Sequence, residues 1–145
     1  MRLKLLIFLA FTSLGGCSVF APPYLPEAEK SMASAYTSIS QITACVDLGL
    51  CATPASFTAK ESDYISAIAG MKTAETIVSN WNPPFDNAPS SKSKKLLLEL
   101  IDGCRMQLVS LSDIHRKNGV PAGVGLTQPV DVSCNQALRA TQAMG

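Results

Sequence analysis

Between Glu27 and Val46 the apolar residues Met32, Ala35, Tyr36, Ile39, Ile42 and Val46 return at intervals of three and four, while Ser34, Thr37, Ser38 and Gln41 are polar. That spacing lays one apolar stripe along a helix. Pro26 suits its first turn, and Gly49 lies just past its end. A second stripe, Tyr64, Ile68, Met71, Ala74, Val78 and Trp81, predicts a helix from Ala59 to Asn80. Thr58 and Glu61 have the spacing of a capping box at its start, and Pro83-Pro84 cannot extend it. A third stripe of Leu97, Ile101, Cys104, Leu108 and Leu111 follows Ser90 and Ser91, either of which suits an N-cap, and Asn118-Gly119 with Pro121 ends it. Gly103 invites a break, since glycine costs up to about 1 kcal/mol relative to alanine inside a helix. Ser133 and Gln136 mark the start of a short fourth helix before Leu138 and Met144. No period-two segment, internal repeat or sustained heptad appears. The pattern predicts an all-α fold, a small bundle of three to four helices.

The first residues do not belong to that bundle. Met1-Arg2-Leu3-Lys4 carries two positive charges, and Leu5 to Phe11 is an apolar run too short to span a bilayer. This is the order of a secretory signal. The run closes on Leu14-Gly15-Gly16-Cys17, which resembles the bacterial lipobox, although Gly15 is less usual there than Ala or Ser. The resemblance covers only the first eighteen residues. It implies cleavage before Cys17, lipidation of that cysteine and, with Ser18 following it in an organism with two membranes, an outer-membrane protein facing the periplasm. Two or more acyl chains anchor a protein stably where one does so only marginally.

The expected organisation is therefore a signal peptide over 1–16, a lipidated cysteine and Pro-rich tether over 17–26, and a single helical domain over 27–145. Nine tether residues in a polyproline conformation reach about 28 Å at ~3.1 Å each, which keeps the domain near its membrane. Without Arg2 and Lys4 the chain has ten basic residues against eleven acidic ones, a balance that excludes a nucleic-acid partner.

In an oxidising compartment the four remaining cysteines read as two disulfides. Of three possible pairings we expect Cys45 with Cys51, closing a short loop around Gly49, and Cys104 with Cys134, tying the third helix to the fourth. The second should contribute about 3 to 4 kcal/mol in the chain-entropy model. No Cys-x-x-Cys or nearby Cys and His group suggests zinc, and no cofactor is expected.

Candidate chemistry is sparse. His115 is the lone histidine, near the negative end of the third helix's dipole. Ser112 can reach it across one turn, but Asp113 points elsewhere, so these residues make no triad by themselves. The carboxylate pairs Glu61 with Asp63 and Glu99 with Asp102 read as solvated. Lys92, Lys94 and Lys95 place three positive charges where a helix dipole is itself positive, at about 0.3 to 1 kcal/mol each, a local conflict read either as a solvated run lying partly before the true helix start or as a contact with anionic lipid or phosphate-bearing polymer. Trp81 and Phe85 flank the double proline, and Val120, Val124, Leu126 and Val130 make the segment after Gly119 apolar enough to cover the end of the bundle or to dock a partner. Gly123-Val124-Gly125 is too short for a phosphate loop.

The expected function is that of a non-catalytic, lipid-anchored envelope protein binding a membrane-proximal protein or other envelope component. The alternatives are a small-ligand or lipid carrier with a bundle cavity lined by Tyr36, Tyr64, Met71 and Leu108, a hydrolase using His115 with dispersed partners, and a phage or plasmid exclusion lipoprotein.

Overall fold

The computed structural model describes residues 25–82 and 89–143. Among them run four α-helices, α1 (Pro26–Asp47), α2 (Phe57–Asn80), α3 (Pro89–Asn118) and α4 (Gln128–Gln142), with a 3-10 turn at Pro54–Ser56 leading into α2. No strand occurs among the described residues. The protein is an all-α bundle.

Each helix packs against two others: α1 on α2 and α4, and α3 on α2 and α4. Three contacts set the directions. Gly119 at the end of α3 abuts Ala52 in the α1–α2 connection, Lys94 near the start of α3 reaches Trp81 at the end of α2, and Asp131 early in α4 faces Asp47 at the end of α1. The helices therefore alternate up and down. One end holds the start of α1, the end of α2 and the start of α3. The other holds the α1–α2 and α3–α4 connections.

The stripes meet along the axis, where Met32, Ile39, Ile42, Met71, Val78, Ile101 and Leu108 have no solvent exposure. Burying such a side chain contributes about 1.5 to 3 kcal/mol relative to leaving it exposed. Small residues set the closest approach: a Cβ on Gly70 would lie 2.9 Å from the Ser31 carbonyl oxygen and 3.1 Å from Ala35 Cβ. Both expected disulfides are present, Cys45–Cys51 with Cα atoms 5.4 Å apart and Cys104–Cys134 at 4.6 Å. The Met71 thioether packs 3.0 Å from the Cys104 sulfur, so the second bridge is part of the core.

Several start signals resolve differently. The 3-10 turn carries the chain into α2 at Phe57, so Thr58 lies inside the helix and no side chain caps it. α3 opens on Pro89, which leaves Ser90 and Ser91 within its first turn, and it passes through Gly103 unbroken. α4 begins five residues before Ser133, with Pro129 in its first turn, and Ser133 Oγ instead donates to the Pro129 carbonyl at 2.7 Å. In each of the last two a proline fixes φ where the helix begins and needs no intrahelical donor. Met144 lies outside the described residues.

Candidate functional site

At the connection end the Cys45–Cys51 bridge holds a tight turn. Leu48 N–H bonds the Ala44 carbonyl, Gly49 N–H the Val46 carbonyl and Leu50 N–H the Cys45 carbonyl. This turn rests on the end of α3 through Val120 N–H, which donates to the Cys51 carbonyl at 2.7 Å. Gly119 makes that approach possible. Its φ is +74°, and a side chain there would overlap the backbone of Ala52 and Thr53. The turn is thus fixed at both edges, and it leaves Leu48 73% and Leu50 67% exposed. Beside them runs a groove of about 430 Å³ between α1 and α2, floored by Ala44, Cys45 and Ala59 and edged by Gln41, Ser56 and Lys60.

Beneath the groove lies His115, which is fully buried although it stands in the last turn of α3. It continues the spacing of Leu108 and Leu111, and that spacing is the signal in the sequence for its inward position. Ser56 Oγ lies 3.0 Å from Nε2, and Tyr64 Oη lies 3.2 Å from Nδ1. Phe57 meets the imidazole edge-on, with ring centroids 5.5 Å apart. The protons can be placed by elimination. Ser56 Oγ donates to the Thr53 carbonyl, which only accepts, so Nε2–H donates to Ser56 Oγ and Tyr64 O–H donates to Nδ1. The hydrogen bonds run one way, from Tyr64 through His115 and Ser56 to Thr53. Burial lowers the His115 pKa and raises that of Tyr64, favouring the neutral forms this chain requires. In this arrangement His115 donates towards Ser56, the reverse of a general base acting on a serine. Its evident work is to tie the 3-10 turn and α2 to the end of α3.

At the opposite end the three lysines separate. Lys94 Nζ donates to the carbonyls of Ser79 at 2.7 Å and Trp81 at 2.6 Å, so it caps α2 and its charge meets the negative end of that helix's dipole. This resolves the local conflict for one lysine of the run. Lys95 makes a weak pair with Glu99 at 3.9 Å, both side chains well exposed, and Lys92 is exposed. Trp81 is half-buried against the core. Cys17 and Phe85 lie outside the described residues.

The remaining candidates do not assemble. Tyr64, Met71 and Leu108 are packed in the core, and Tyr36 instead lies at a separate depression of about 620 Å³ between α1 and α4, where Asn135 Nδ2 donates to its hydroxyl at 3.2 Å. Tyr36 is thus apart from the other three side chains among the described residues. In the same depression the Asp131 carboxyl is raised above its ordinary range by burial and then by Asp47. Of the apolar segment after Gly119, Val120 and Val130 are buried, Leu126 is half-buried, and Val124 is exposed. Burial takes Val120 and Val130 out of any docking surface and leaves Val124 on it. No group of three or more His, Cys, Asp or Glu suited to a metal occurs among the described residues. No helix among them is long and apolar enough to cross a membrane.

Comparison with family models, with curated proteins and with solved structures returns no match. The connection end presents an apolar edge on a bridged turn beside a groove.

Proposed function

We infer that this chain is a lipid-anchored, non-catalytic envelope protein whose bundle presents the Leu48–Leu50 turn to an apolar segment of another envelope protein. The observation that carries the reading is the exposure of two leucines on a turn locked by a disulfide and by the Val120 hydrogen bond. A turn free to relax would fold such side chains inward, because burying each contributes about 1.5 to 3 kcal/mol. Apolar side chains on a fixed backbone beside a groove suit docking, since the turn itself loses little ordering entropy on contact. The signal-like N-terminus and the lipobox resemblance supply the envelope address.

Site-specific photocrosslinking in intact cells tests the reading. A photoreactive side chain at position 48 or 50 is expected to yield one discrete protein adduct, lost in a Leu48→Asp/Leu50→Asp variant when the probe stands at position 44. Probes at the exposed positions Ile65 and Met106 should not yield that adduct. The absence of a discrete adduct at 48 and 50, or the same adduct at all four positions, overturns the assignment.

A further inference from the structure

The end of the bundle opposite the leucine turn is where the chain enters α1, and its surface differs in kind. Lys30, Lys92, Lys94, Lys95 and Arg139 lie within about two turns of that end, against the acids Glu27, Glu29 and Glu75. The Lys94 side chain meets the Ser79 and Trp81 carbonyls here, so the start of α3 and the close of α2 share this end. Lys92 is exposed in the first turn of α3, and Leu96, one turn on, is 56% exposed. Trp81, the chain's sole tryptophan, sits half-buried at the same end.

Resting on the lipid-anchor reading, we propose that this end, with Lys92, Lys95, Leu96 and Trp81, is a docking face that lies on anionic lipid headgroups. Chain geometry and charge both favour that occupant. Residues 17–24 of the proposed mature chain join the bundle here, a span of at most about 28 Å when extended, so an anchored bundle keeps this end within reach of the bilayer. The charge is complementary too: each lysine near an anionic surface raises occupancy roughly fivefold. Lysine stems lie along apolar surface while their heads reach phosphates, and tryptophan favours the headgroup level. The lysines that oppose the α3 dipole are thereby offset by lipid outside the protein.

The test uses the full-length acylated protein in vesicles of phosphatidylcholine alone or mixed with phosphatidylglycerol, each brominated near the headgroup so that it quenches a nearby indole. Trp81 fluorescence is expected to be quenched in the mixed vesicles and not in the neutral ones, and quenching should fade as salt is raised. The Lys92→Glu/Lys95→Glu variant should float with both vesicles yet lose the quenching. Acidic residues near a helix start favour the dipole, so this variant is not expected to unfold, and circular dichroism checks that. Wild-type protein that floats while Trp81 stays unquenched in mixed vesicles, or quenching that the double variant retains, overturns the docking face alone. Protein that floats with neither vesicle overturns the anchor and the docking face together.

Discussion

His115 shows how a polar residue holds a buried position. Its two ring nitrogens face opposite demands, one accepting from Tyr64 and one donating to Ser56, and only the neutral ring meets both without turning the tyrosine hydroxyl round. With the folded pKa below the ordinary value near 6.5, the unfolded chain takes up the proton first. The stability tied to neutral His115 is therefore complete above about pH 6.5 and is lost as the pH falls from there through the lower folded value. Urea midpoints should decrease between pH 7.5 and pH 5.5, and a His115→Gln variant should show a flatter profile over that window. The raised Asp131 has the opposite sign: its folded carboxyl takes up a proton before the unfolded one, a gain on acidification that belongs to the carboxylate range. At pH 7.5 the same variant should be less stable by about 1 to 3 kcal/mol, the usual cost of leaving buried polar partners unmet. Gly119 is a second residue with no substitute. Its positive φ and the overlap that any Cβ would make with Ala52 predict a loss of about 2 to 4 kcal/mol for Gly119→Ala, read from the denaturation midpoint.

The two disulfides join elements on different scales and should differ in weight. Cys45–Cys51 spans 6 residues and shapes a turn, whereas Cys104–Cys134 spans 30 and ties α3 to α4. In the chain-entropy picture these separations correspond to about 2 and about 3.5 kcal/mol. Paired replacement by alanine should therefore lower the denaturation midpoint more at 104 and 134 than at 45 and 51. The shorter bridge should matter more for the photocrosslink at Leu48 and Leu50. Both pairings were legible in the sequence, because stripes of three- and four-residue spacing put Cys104 on the buried face of α3 and left Cys45 and Cys51 bracketing Gly49. The stripes also located the helices, since burial of one face dominates their energetics. Their starts were less legible. Ser, Thr and Glu at capping spacing occur by chance in polar stretches, and here Pro89 and Pro129 marked the true beginnings of α3 and α4. The Leu48–Leu50 edge left no signal, because exposed leucines break no spacing rule, and the Ser56–His115–Tyr64 chain depends on a 3-10 turn that the pattern did not show.

At the scale of the whole molecule, the two ends of the bundle carry different chemistry and are separated by the length of the helices, about 33 Å for the 22 residues of α1. Lysines and the tryptophan lie where the chain enters, and the rigid leucine turn lies at the far end. Four alternating helices also bring the chain back, so that α4 finishes at the end where α1 begins. The far end is therefore built from connections alone, which any segment fused to either terminus would leave clear. In the proposed lipid-facing orientation, an affinity tag placed after α4 would instead enter the space between the bundle and the bilayer, lifting the lysines from the lipid while leaving the leucine turn free to be grasped.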